Sequence, residues 1–186
     1  MNRLKQPAVL AAAVVIAATL GACTTAGGNG TPTATTSPSQ SVTTPATPTL
    51  SQAELDSAAA SAAVVTMWEV IDRLGADPKS DLGELGSVTR DAENTQWTKL
   101  LFERRTRGER FIGNTKVTVK SATAGAEGEY RVDACLDVSK LNVVDAQGKS
   151  IVPAERKPTI GYSYDVTQDQ TSKRWYVISE KVVEAC

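Results

Sequence analysis

Tyr130-Arg131-Val132-Asp133-Ala134-Cys135-Leu136-Asp137-Val138 decides the fold. Tyr130, Val132, Ala134, Leu136 and Val138 form one set, and Arg131, Asp133, Cys135 and Asp137 form the other. A period of two belongs to a strand with one face in the core and one in solvent. Downstream, Ile160, Tyr162, Tyr164 and Val166 repeat the pattern, and Trp175 to Val183 reads as a closing strand. Upstream, Lys116 to Lys120 alternates in the same way. Asp145-Ala146-Gln147-Gly148-Lys149 is a turn signal. Short connections rich in Gly and Asp imply an antiparallel meander.

Before Gly108 the period is closer to four. Ser51 and Glu54 form an S-x-x-E capping box, with Leu50 as the hydrophobic residue ahead of it. Leu55, Ala59, Ala62, Val65, Trp68 and Ile71 then recur at helical spacing until Gly75-Ala76-Asp77-Pro78. Asp81 to Ser87 suggests a further helical turn. Asp91 reads as a second N-cap, with a helix over Ala92 to Thr106 carrying Trp97, Leu100 and Leu101 along one side. Helices first and strands afterwards predict an α+β domain: N-terminal helices packed on a curved, mainly antiparallel four-stranded sheet.

The domain accounts for residues 51–186 of a 186-residue chain. Residues 1–22 read as a secretion signal, with Arg3 and Lys5 ahead of an uncharged, mostly apolar stretch from Ala8 to Leu20. That stretch is shorter than the roughly 20 apolar residues a membrane-spanning helix needs. Leu20-Gly21-Ala22-Cys23 follows, and this tetrapeptide resembles the bacterial lipobox. Leu20, Gly21 and Ala22 would be read by the signal peptidase, and the Cys23 thiol would take the lipid. Residues 23–50 are expected to be the lipidated cysteine and a disordered tether. From Thr24 to Leu50 there are ten Thr, four Pro and no charged residue, too little apolar area to offset the entropy of ordering. Flexible-chain scaling gives the tether a reach of about 30 Å.

Without residues 1–22 the chain carries 18 basic residues (20 less Arg3 and Lys5) against 21 acidic ones. That balance argues against nucleic acid as a partner. The chain has no histidine, so the commonest general base is missing, and a metal site is not expected. Once Cys23 is acylated, Cys135 and Cys186 remain as an even pair. In an exported domain this points to a disulfide. Buried free thiols and a redox thiol are the alternatives, and no C-x-x-C motif supports the second.

The helix end from Trp68 to Pro78, the Gly108–Gly113 approach, the Tyr130–Asp137 strand, the Asp145–Lys149 turn and the closing Trp175-Tyr176-Val177 with Cys186 together resemble the nuclear transport factor 2-like superfamily. The likeness extends to the small lipoproteins of actinobacteria and their phages. The resemblance implies a cone-shaped α+β fold. It also implies a lipid-anchored module on the extracytoplasmic face of the cell membrane, without catalytic centre or cofactor, acting in the envelope or in phage superinfection exclusion. Expected partners are the membrane, through the anchor, and an envelope protein or wall polymer. The oligomeric state is not legible. A small-ligand carrier using the cone cavity ranks second, and an isomerase-like enzyme third.

Three groups of residues test these readings. Tyr162, Tyr164, Trp175 and Tyr176 either line a pocket at the cone mouth or pack the core. Arg104, Arg105, Arg107 and Arg110 either meet an anionic partner or complement a helix end. Asp133 and Asp137 would be the acids of an isomerase-like centre. Their strand face is the polar one, so ordinary surface carboxylates are expected.

Overall fold

The structure is a computed structural model that describes residues 50–126, 128–183 and Cys186. The expected signal, lipobox and tether lie outside the described residues. Helix α1 (Gln52–Ala76) opens at Ser51 with both halves of the capping box in place. The Ser51 N–H donates to Glu54 Oε2 at 2.7 Å, and the Glu54 N–H donates to Ser51 Oγ at 3.3 Å. A 3₁₀ turn (Leu82–Ser87) leads to α2 (Asp91–Thr106). Six strands follow: β1 (Arg110–Ile112), β2 (Lys116–Ala124), β3 (Glu129–Asp137), β4 (Asn142–Val144), β5 (Thr159–Gln168) and β6 (Trp175–Val183).

Strands β2-β3-β5-β6 form the expected four-stranded antiparallel sheet in that order. The short pair β1-β4, which the alternation did not indicate, makes a separate two-stranded sheet. Helix α1 lies against all four strands of the large sheet. Tyr130, Val132, Ala134 and Leu136 of β3 face it, as their alternation requires, and so do Tyr164 and Val166 of β5. The fold is therefore α+β, with helices on one face of an antiparallel sheet.

The buried stripe of α1 differs from the expected one. Ala60, Val64, Met67, Trp68, Ile71 and Leu74 are buried, whereas Leu55 is 46% exposed and Ala62 faces solvent. In so alanine-rich a helix, neighbouring stripes carry nearly equal apolar character, and the large residues Met67, Trp68, Ile71 and Leu74 decide which one turns inward. Near the end of α1 the chain approaches β1 so closely that a side chain at Gly75 would strike the Phe111 ring. Asp72 joins α1 to the start of β2, accepting the Thr115 N–H at 2.6 Å and its hydroxyl at 3.1 Å.

Candidate functional site

The sequence-derived candidates fall on three separate surfaces. On the outer face of the sheet, Cys135 is in register with Thr118 on β2 and with Gly161 on β5, which in turn pairs with Val183 on β6. Cys186 is bonded to Cys135, their Cα atoms 5.5 Å apart. Cys186 follows β6, so the bond ties it back across the outer face past β5. Gly161, the β5 residue beside Cys135, leaves that row bare and is itself buried. Asp133 and Asp137 flank the disulfide on this face. Asp133 accepts the Ser121 hydroxyl at 3.0 Å and lines an open cleft with Arg131 and Asp165. The Ser139 hydroxyl and N–H hold the Asp137 carboxyl below the usual carboxylate range. Both acids lie on the face of β3 opposite the buried Val132, Ala134 and Leu136.

The arginines serve a second region. Arg105 donates to the carbonyls of Leu74, Ser80 and Asp77 at 2.8, 2.7 and 3.1 Å, closing the C-terminal end of α1. Arg104 and Arg107 both pair with Glu109, at 3.0 and 2.6 Å. Arg110 is exposed on β1, opposite Val144. The run is thus divided among separate tasks, and Glu109 offsets part of its charge.

The aromatic candidates do not line one pocket. Successive strand residues point to opposite faces, so Trp175 and Tyr176 part company. Trp175 meets Tyr130 edge-on at 5.5 Å. Tyr176 lies under the Arg90 guanidinium, 3.6 Å from its ring centre. Tyr162 and Tyr164 do belong to the interior between α1 and the sheet, stacked on each other at 5.8 Å. Trp68 of α1 packs edge-on to Tyr162 at 6.4 Å and donates its indole N–H to the Tyr164 hydroxyl at 2.8 Å.

Two acids not singled out from the sequence complete this interior cluster. Glu93, in the first turn of α2, is only 2% exposed. Its Oε1 accepts the Trp97 indole N–H at 2.7 Å, and the backbone N–H of Glu180 lies near its carboxyl. Trp97 meets Trp68 edge-on at 5.3 Å, linking the acid to the tyrosines. Glu180 on β6 is in register with Tyr164. Its Oε2 is buried without a hydrogen-bond partner among the described residues. Burial, followed by the Glu93 charge, pushes the Glu180 carboxyl up to about 8. Burial also raises Glu93, Tyr162 and Tyr164 above their ordinary values.

A β-bulge brings Glu180 inside. Val166 pairs with Val177 and Asp165 with Ser179, which leaves Ile178 as the extra residue on β6. Simple alternation from the buried Val177 would put Ser179 inside and Glu180 outside. The bulge reverses that assignment. A protonated carboxyl there can donate a hydrogen bond at neutral pH.

No family model matches the chain, and no curated protein matches it. Among solved structures, the intermembrane space region of chloroplast protein ARC6 is similar at 17% identity and a TM-score of 0.54, over 74% of this chain and 100% of that one. A ketosteroid isomerase-like protein from Erwinia carotovora atroseptica aligns at 8% identity and a TM-score of 0.45, over 70% of this chain and 98% of that one. The protein Aln2 from a Streptomyces species aligns at 14% identity and a TM-score of 0.41, over 72% and 93% of the two chains. At such identities the likeness is one of fold, and no chemistry transfers with it. What is shared is an α+β fold with helices packed on a four-stranded antiparallel sheet, as expected from the sequence.

Proposed function

We propose that the chain is a lipid-anchored, extracytoplasmic interaction module that holds its domain near the membrane for an envelope protein or wall polymer. The observation that carries this reading is the Cys135–Cys186 bond. Structural disulfides persist in oxidising compartments. The bond uses both cysteines of the domain and leaves Cys23, directly after the apolar segment, as the third and last one. The acids expected of an isomerase-like centre are absent from the interior. Trp68, Trp97 and Tyr164 fill it at contact distance, and Asp133 and Asp137 lie outside it. A carrier role for the cone is the second reading, favoured by the buried, unpartnered Glu180 Oε2.

Expression of the full chain in a bacterium with a lipoprotein-processing pathway tests the proposal. The mature protein should begin at Cys23, carry added acyl mass and partition into detergent. Cys23→Ala should lose the acyl mass and leave the membrane fraction. Alkylation without reduction should label neither Cys135 nor Cys186. A wild-type chain without lipid mass, or with both domain thiols free, overturns the reading.

A further inference from the structure

We infer that the first half of α2 is a proton-held flap: one proton on the buried Glu93–Glu180 pair keeps it on β6, and losing that proton loosens it. Two features of the seam support this. First, α2 begins under strain. Its N-cap, Arg90, supplies no side-chain cap, and Asp91 sits at φ 52°, a left-handed conformation that a non-glycine residue seldom adopts. Second, the start of the helix, ahead of the buried Trp97 and Leu101, is fastened to the sheet by few bonds. The Arg90 N–H donates to the Val177 carbonyl and the Val177 N–H to the Val88 carbonyl, each at 3.0 Å, and the Arg90 guanidinium covers Tyr176. Beneath them lies Glu93, near the Glu180 N–H.

The charged and titratable groups around the pair include no cation turned toward it among the described residues. From α2 comes Glu93, and from β5 come Tyr162 and Tyr164. From α1 comes only the neutral Trp68, whose N–H is already given to Tyr164. Arg90 directs its guanidinium to the Gly86 and Thr89 carbonyls and to Tyr176. Lys181 is in register with Ser163 on the outer face. Two carboxylates buried together without a cation cannot both ionise at modest cost. The unpartnered Glu180 Oε2 is the free position for the proton.

The direction of the pH effect follows. The docked state holds the Glu180 proton up to about pH 8, whereas a released flap returns that carboxyl toward its ordinary value of 4.5. The docked state is therefore fully favoured below that ordinary value. Opening becomes easier as pH rises, by at most about tenfold per pH unit for one proton, and levels off once the docked carboxyl has ionised.

Amide hydrogen exchange on the full-length protein in detergent, corrected for intrinsic rates, reads this directly. In the wild type, the opening constant of the α2 amides 91–98 should rise between pH 5.5 and 8, by up to roughly tenfold per unit, and then flatten. The α1 amides should not follow. Glu180→Gln should make the α2 profile markedly shallower, leaving only the slope contributed by the raised Glu93 carboxyl. Glu93→Gln should shift its rise to lower pH, since the like charge is gone. If Glu180→Gln does not fold, Glu93→Gln decides. A flat wild-type profile, an unchanged slope in the variants, or α1 opening in step with α2 overturns the inference.

Discussion

The two helices rest on one sheet but are fastened differently. Helix α1 starts in a complete capping box and buries Val64, Met67, Trp68, Ile71 and Leu74. Helix α2 starts without a side-chain cap, on a residue in the left-handed region, and its buried set is Glu93, Trp97 and Leu101. One helix is held chiefly by a long apolar stripe, the other by a smaller apolar contact through Trp97 and Leu101 together with a buried carboxyl that must be satisfied. Apolar burial is indifferent to pH, whereas a buried carboxyl is not. The difference assigns stability to the α1 seam and responsiveness to the α2 seam.

The largest expected effect lies in the α1 seam. Ile71 is fully buried between the helix and the sheet. Ile71→Ala should cost about 2–5 kcal/mol, read as a lower urea midpoint with an unchanged m-value. The loss should be the same at pH 6 and pH 8.5, because no titrating group is touched. A loss that changes with pH would break the comparison, since it would show that the two seams open together.

An intermediate effect is expected at Trp97. Its indole N–H is the side-chain donor to Glu93. Trp97→Phe keeps much of the ring contact with Trp68 but leaves a buried carboxyl oxygen without that bond, at a cost of about 1–3 kcal/mol. Here the loss should grow with pH. Removing a donor raises the Glu93 carboxyl further, and a raised carboxyl contributes stability below its unfolded value that disappears as pH climbs through the folded one. Urea midpoints of this variant and the wild type should therefore diverge from pH 6 to pH 8.5. Midpoints that keep a constant gap would show that Glu93 is already neutral throughout that range.

The same contrast explains what was legible in the sequence. The capping box, the β3 alternation, the span of β6 and the pairing of Cys135 with Cys186 all follow from local rules that the structure obeys. The acid pair does not. Glu180 reaches the interior through the bulge at Ile178, and a one-residue insertion reverses every side chain beyond it without a mark in composition. Glu93 reads as an ordinary acid at a helix start, favourable to the dipole in solvent as well as in the core. A signal was available in its spacing: Trp97 lies four residues on, placing an indole donor and a carboxylate on one helical face. The arginine run was legible only in kind. Its density left an anionic partner and a helix end both open, and that Arg105 is spent on the carbonyls at the end of α1 is a tertiary demand that no local pattern records.

The smallest expected effect, and the sharpest test of strain in α2, is at Asp91. Two contributions oppose each other there. The carboxylate in the first turn interacts favourably with the helix dipole, worth about 0.3–1 kcal/mol at an exposed position. Its φ of 52° costs a non-glycine residue on the order of 1 kcal/mol. Asp91→Asn removes the charge and keeps a side chain, so it should destabilise slightly. Asp91→Gly removes the same charge and also the steric penalty, although glycine brings extra entropy to the unfolded chain. The difference between the two variants isolates the backbone contribution. Glycine should exceed asparagine by about 0.5 kcal/mol, measured as the gap between their urea midpoints at one pH. It should also slow exchange of the first α2 amides relative to asparagine, because the docked state has then lost strain that opening would relieve. Equal stabilities would mean that Asp91 relaxes into an ordinary helical start, and the flap would then rest on the carboxyl pair alone.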